Sequence, residues 1–322
     1  MNYALCTAPM MEWSDRHCRY LWRLISRKVV VFTEMITAQA LIHGDRERLL
    51  AFDPSEQPVV LQLGGSKPRE LALACKMAEE RGYNAVDLNC GCPSDRVQGG
   101  NIGAILMRDP AQVARCYEAM RASCDLPISV KHRLGVDEQD EEESLFNFVS
   151  TVAEAGCSTF IVHARKAWLK GLSPKENREV PPLNYPLIYR LKSAMPSLTI
   201  ILNGGVASLE QVAKHLEQVD GAMIGRAAYQ NPFLLQPVDQ QFFGQEPPHA
   251  TREQVANAYA TYIEQQQAED PGLRLHHMTR HVLGLFHAQR GGKLYRRHLS
   301  ENACRTGADV KVFQDALEHV LA

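Results

Sequence analysis

Two cysteines and a proline interrupt an apolar run at Asp87-Leu-Asn-Cys-Gly-Cys-Pro-Ser-Asp-Arg-Val-Gln-Gly-Gly100. Residues 85–88 read as a strand, and Pro93 biases Cys92 toward extended backbone and away from helix. A thiol on a loop of fixed shape at a strand's C-terminal end is placed to meet a substrate, which makes Cys92 the first candidate for chemistry. Three roles are open to it: buried structural thiol, nucleophile, or proton donor. An ordinary thiol, with a pKa near ~8.5, stays mostly protonated at neutral pH and suits an acid. No Cys–His–Asn/Asp pattern supports a protease-like nucleophile. Neither Cys90 and Cys92 nor the histidines match a zinc spacing, so no metal is expected.

Other polar groups stand at the ends of further apolar runs. In chain order they follow Ala8-Pro9-Met10 and comprise Glu34, Gln62, Asn89 to Cys92, Lys131 and Arg133, His163, Asn203-Gly204-Gly205, and Gly225-Arg226. The last two sets suit a phosphate. Glycines let backbone N–H groups approach an anion closely, and Arg226 offers a charged fork. A simple turn would also use such glycines, but two such loops together favour phosphate. Lys131, between Val130 and His132, needs an anionic partner. A reduced flavin, negative near N1 and O2 of its ring, would serve, and so would a salt bridge to Asp87 or Glu34 inside the fold. Gln62 and His163 can hydrogen-bond a ring edge or a phosphate, although a histidine in an apolar run is commonly a satisfied core residue.

The elements that must position these groups are eight short apolar runs: residues 3–8, 29–36, 59–63, 85–89, 128–133, 159–163, 199–203 and 221–224. Their near-continuous hydrophobicity suits parallel strands covered on both faces. Helix punctuation lies between them: Ser66-Lys-Pro68 with Gly82, Asp109-Pro110, the acidic start at 137–143, and a capping box at Ser208–Gln211. The expected fold is an α/β (β/α)8 TIM barrel over residues 1–237, with polar strand ends converging on one mouth. A dinucleotide fold would carry G-x-G-x-x-G after the first strand, where this chain has Ala8-Pro9-Met10-Met11. Residues 238–250 read as a linker, and 251–322 as a smaller all-helical domain with apolar stripes at 255–263, 275–286 and 312–320.

The 322 residues carry a formal net charge of −2, so no overall field draws nucleic acid or membrane, and a polyanion must meet a local basic patch. Two patches qualify. The loop 165–185 holds Arg165, Lys166, Lys170, Lys175 and Arg178 against Glu176 and Glu179. Residues 273–300 hold Arg274, Arg280, Arg290, Lys293, Arg296 and Arg297, five histidines and no acid. A solvated basic face is the plain reading; the pair of patches suggests a track for RNA phosphate. Nine scattered cysteines in mostly apolar contexts suit a reducing cytosol. No apolar run approaches a bilayer span, and the opening residues lack a basic n-region, so neither membrane nor signal peptide is expected.

These segments together resemble the tRNA-dihydrouridine synthases, in particular the bacterial A-type. The resemblance is carried by Ala8-Pro-Met10 with Trp13-Ser-Asp-Arg16, by Asp87 to Gly100, by Ser129 to Gly135, by His163 to Arg178, by Asn203-Gly-Gly205 and by Gly225-Arg226. Glu12 and Ser14 stand where Asp and Thr would be expected. The resemblance implies reduction of uridine in the tRNA D-loop, at positions 20 and 20a, with FMN at the barrel mouth and NADPH as reductant. It implies flavin contacts from Pro9, Met10, Gln62, Lys131, His163, Asn203, Gly204, Gly205, Gly225 and Arg226, and Cys92 as proton donor to C5. Asn89 and Arg178 are the implied contacts to the target nucleotide or tRNA, with Lys175, Arg290 and Arg297 as further candidates on the basic patches. A cytoplasmic monomer is expected. Two rivals share parts of this pattern: an FMN-dependent reductase of a free pyrimidine, dihydroorotate dehydrogenase-like, and a non-catalytic tRNA-binding barrel.

Overall fold

The computed structural model describes residues 1–94 and 100–321; residues 95–99 of the cysteine segment lie outside the described residues. Eight parallel strands follow the chain: β1 (Leu5–Thr7), β2 (Val31–Thr37), β3 (Val59–Gly64), β4 (Ala85–Cys90), β5 (Ile128–Arg133), β6 (Thr159–His163), β7 (Thr199–Asn203) and β8 (Gly221–Ile224). They hydrogen-bond in the order β1-β8-β7-β6-β5-β4-β3-β2. A parallel bridge between Cys6 and Val30, with Thr7 N donating to Val30 O at 2.9 Å, joins β1 to the start of β2. The sheet thus closes on itself as the expected barrel, with helices around it.

Alternation along each strand separates two cores. Cys6, Ala8, Val30, Phe32, Val60, Ala85, Ile161, Ile201 and Met223 fill the barrel interior. Val86, Leu88, Val130, Phe160 and Val162 face the helices. Two residues on from Val60, Ala85, Ile161 and Ile201, the inward positions turn polar at Gln62, Asp87, His163 and Asn203. This change lifts the chemistry to the C-terminal end of the barrel.

Helix ends follow their local chemistry. Asp109 caps the helix Pro110–Arg121, and Asp140 caps Glu141–Glu154, whose first turn is acidic. At Ser208 only half the capping box forms: its side chain accepts from Gln211 N, while Gln211 Oε1 accepts from Ala207 N at 2.7 Å. The segment 238–250 is more than a connector. It opens with the helix Val238–Phe243, and the fully buried Asp239 accepts from the Ser26 hydroxyl, Arg27 N (2.7 Å) and Lys28 N (3.1 Å). One anchoring carboxylate in a Gln/Phe/Pro-rich stretch leaves no mark in composition. The stripe at 275–286 is buried as expected, but its helix is only His276–Thr279. No helix among the described residues is long and apolar enough to cross a membrane.

The C-terminal helices Arg252–Glu269 and His276–Thr279 pack on the first barrel helix, Arg16–Ile25. Asp15 Oδ1 caps that helix through His17 N and Cys18 N. Its Oδ2 receives Arg280 Nη2 at 2.6 Å and His281 Nε2 at 2.9 Å. Tyr20 stacks on Tyr262 at 3.9 Å, and Trp13 on Tyr229 at 4.3 Å.

Burial pushes the His132 ring down to about 4, against the pull of its hydrogen bond to Arg133 O. A histidine depressed in the folded state gives stability that is whole above its usual value near ~6.5 and lost as pH falls toward the folded value. Going from about pH 7 to about pH 5 should therefore cost about 2 kcal/mol through this ring. His132→Phe, which keeps the ring contacts with Phe148 and Phe160, should flatten that fall. Urea midpoints of the two proteins at both pH values check it, and equal falls would refute it.

Candidate active site

Cys92 is half-buried, Cys304 is exposed, and the other seven cysteines are buried. The loop bearing Cys92 is held from both sides. Asn89 Oδ1 accepts from Gly91 N at 3.1 Å and Cys92 N at 3.0 Å, and Cys92 O accepts from Ala104 N at 2.8 Å. Gly103 lies at φ +83°, and a Cβ there would stand 2.4 Å from Cys92 O, so only glycine allows this closure. The thiol lies within electrostatic reach of Lys131, Arg133 and Arg178.

Below it, the inward side chains of β3, β4 and β5 form one polar cluster. Gln62 Nε2 donates to Asp87 Oδ2 (2.7 Å), Ser129 Oγ donates to Asp87 Oδ1 (2.7 Å), and Asn89 Nδ2 donates to Gln62 Oε1 (2.8 Å). Burial pushes the Asp87 carboxyl up, opposed by these donors and by Lys131. Burial pushes the Lys131 ammonium down, opposed mainly by Asp87. Lys131 forms no ion pair among the described residues. It donates instead to Asn203 Oδ1 at 2.9 Å, while Asn203 Nδ2 donates to Met223 O at 2.9 Å. The salt bridge to Asp87 or Glu34 is thus replaced by an amide contact, and Glu34 accepts the backbone N–H of Glu12.

His163 stands beside this cluster. Burial pushes its ring well below its usual range, and Arg133, Lys131, Arg165 and Arg178 act the same way, so the ring is neutral. Its Nδ1 is buried without a partner among the described residues. Gly204 (φ +104°) packs against the ring, where a Cβ would come within 3.1 Å of Cε1; Gly205 (φ +74°) abuts Leu183 and Tyr185. Those two glycines are required by their own loop. Gly225 is different: a Cβ there would meet only Ala8 at 3.5 Å and Met10 Sδ at 3.8 Å, ordinary contacts. Pro9-Met10 and Gly225-Arg226 therefore adjoin, and space remains over Gly225. Arg226 pairs with Glu179 at 2.7 Å, so the fork expected on a phosphate closes here on a carboxylate of the long loop.

That loop is built around Asn177, which is fully buried and bonds to Trp168 N, Trp168 O and Leu172 O. Arg133 ties it to the cysteine loop, donating to Gly91 O, Lys166 O and Asn177 O at 2.9 Å each. Lys175 and Arg178 are exposed on its surface. Asn177 was invisible in sequence, since nothing marks one amide in an irregular loop as its anchor; Arg133 was signalled by an arginine at the end of an apolar strand. The basic track of residues 273–300 is narrower than charge counting suggests. Arg274 donates to Cys304 O, Arg280 belongs to the Asp15 junction, and Arg297 pairs with Glu301 at 2.7 Å. Arg290, Lys293 and Arg296 are exposed, with no ion pair among the described residues.

The fold likeness extends to a solved structure, a 2-naphthoyl-CoA reductase in complex with 2-naphthoyl-CoA. It superposes with a TM-score of 0.53 at 11% identity, over 73% of this chain and 50% of that one. Closer relatives are the tRNA-dihydrouridine(20/20a) synthases of Vibrio cholerae, 54% identical over 98% of this chain and 96% of its own, and of Xanthomonas axonopodis pv. citri, 53% identical over 98% and 93%. That of Escherichia coli K12 is 51% identical over 97% and 90%. With these relatives spanning nearly every residue, and the dihydrouridine synthase family model matching residues 6–321, the chain belongs to the dihydrouridine synthase family.

Proposed function

We propose that the chain reduces the C5=C6 bond of uridine to 5,6-dihydrouridine in the tRNA D-loop, at the positions 20 and 20a that its relatives' names carry. What supports this reading most is the half-buried Cys92 thiol at a cationic barrel mouth, in a chain similar to those relatives over nearly its whole length. FMN fits the residues present. Among the described residues the His163 Nδ1 has no partner and suits a polar ligand, and Lys131 has no carboxylate at ion-pair distance, while the room over Gly225 suits a phosphate. Pro9, Met10, Gln62, Lys131, His163, Asn203, Gly204, Gly205, Gly225 and Arg226 would hold it, with Arg226 exchanging Glu179 for the phosphate. When bound, FMN supplies a hydride from NADPH to uracil C6.

The chain's own residues do the rest. Cys92 Sγ gives its proton to C5 from the other face of the base. Lys131 and a neutral His163 offer donors at the pocket wall. The target base must leave the folded arm to enter, with its strand held by Lys175 and Arg178 on the long loop and by Arg290 and Arg297 on the helical part. Asn89 joins them as a nucleotide contact through whatever capacity its loop bonds leave. A cytoplasmic monomer, a barrel of residues 1–237 and a tRNA-binding part at 251–322 complete the reading.

Incubating the purified protein with NADPH and unmodified tRNA, then mapping dihydrouridine, tests it. The expected result is a yellow protein that modifies the D-loop and leaves free uridine untouched. Turnover of free pyrimidine alone would select the small-molecule rival, and a colourless protein that binds tRNA even after FMN is supplied would select the non-catalytic one.

A further inference from the structure

We propose that Asp87 is a positioning residue for Cys92: its buried carboxylate sets the polarity of an amide relay through Gln62 and Asn89 that ends on the Cys92 N–H. The chain of bonds is continuous. Asp87 is fully buried, and both its oxygens accept, one from Ser129 Oγ and one from Gln62 Nε2. A carboxylate only accepts, so Gln62 must turn its NH2 inward and its carbonyl toward the mouth. That carbonyl only accepts, so Asn89 must offer Nδ2 to it at 2.8 Å. Asn89 is then left with Oδ1 facing the loop, where the N–H groups of Gly91 and Cys92 arrive at 3.1 and 3.0 Å. Each amide has one permitted orientation, and the choice is made at Asp87. Two amides free to flip could not otherwise guarantee an acceptor under the cysteine loop.

The relay makes a polarity prediction that simple loss of packing does not. Asp87→Leu keeps much of the volume but removes both acceptors, so nothing fixes the Gln62 amide, and an Asn89 carbonyl under the Cys92 N–H is no longer guaranteed. The loop is released. In the holoenzyme, iodoacetamide should then alkylate Cys92 about tenfold faster than in the parent protein. Cys304, exposed and distant in sequence, should react unchanged and serves as the internal control. Adding Gln62→Glu to Asp87→Leu puts an acceptor-only group opposite Asn89 Nδ2 again and keeps the net charge. Reactivity of Cys92 should return to within about threefold of the parent. Peptide mass spectrometry reads both cysteines. An unchanged Cys92 rate in Asp87→Leu overturns the relay, and so does a double variant no better than the single one. If Asp87→Leu does not fold, Asn89→Ala, at the rim, carries the test: an unchanged Cys92 rate there overturns the proposal. The inference rests on the catalytic reading of Cys92 for its meaning, yet alkylation needs no tRNA. A parent protein inactive on tRNA would end that reading and leave the relay to stand or fall on these rates.

Discussion

Cys92→Ala is expected to lose about 10²–10⁴-fold in dihydrouridine formation on tRNA, the usual worth of a positioned proton donor, while still consuming NADPH. The size of the effect follows from how firmly the thiol is held. Asn89 and Ala104 grip the backbone on either side of it, and Gly103 admits the carbonyl of Cys92 where any Cβ would collide. A group fixed this way replaces a proton that water would have to bring into a pocket lined by Lys131, Arg133 and Arg178. Cys92→Ser keeps the size and geometry but offers a much weaker acid, so it should rank with alanine rather than with the parent. Single-turnover reduction of unmodified tRNA, measured beside NADPH consumption, separates the two half-reactions. Turnover on tRNA within about threefold of the parent would exclude Cys92 as the donor, and equal loss of both activities would point to a damaged cofactor site instead.

The strands were legible in sequence because each carries a continuous apolar run that serves two cores at once. β5 to β8 begin and end at the residues their runs predict. The strand ends were legible for the same reason, since Gln62, Lys131, His163 and Asn203 are polar where inward positions should be apolar. What those side chains hold was not legible. Lys131 reads as needing an anionic partner, a flavin or a carboxylate, and of the described side chains its ammonium rests on the Asn203 amide. Gln62 and Asn89 read as ligand contacts, yet most of their amide capacity is committed to Asp87 and to the cysteine loop. Spacing along a strand gives the face a residue occupies, while partners come from neighbouring strands tens of residues away. The partners of the basic residues at 273–300 were hidden for a related reason. Charge in a window does not reveal that Arg280 turns inward to Asp15, or that Arg297 is answered one helical turn later by Glu301.

Arg280's partner is the basis of the largest stability effect expected in the molecule. Burial alone would raise the Asp15 pKa, but the hydrogen bonds and charges of His281, His17 and Arg280 hold it well below the usual carboxylate range. One oxygen caps the helix Arg16–Ile25 and the other binds the C-terminal part, so a single carboxylate joins a helix start to the junction. Asp15→Ala removes the cap and leaves Arg280 and His281 facing each other without an anion. The cost should be about 3 kcal/mol, the lower end for breaking a buried pair because Arg280 is partly exposed. In a chain of this size that lowers Tm by about 4 °C. Asp15→Asn keeps an acceptor for the cap and should lose roughly half as much. A depressed carboxylate lends stability above its unfolded pKa and loses it as pH falls toward the folded value, so the gap between parent and alanine variant should narrow below about pH 4. Melting curves of the three proteins at neutral and acid pH decide it. A gap that persists unchanged in acid would mean Asp15 acts through shape alone. A narrowing gap makes the charge the tie that keeps the C-terminal helices seated beside the loop of Pro9 and Met10.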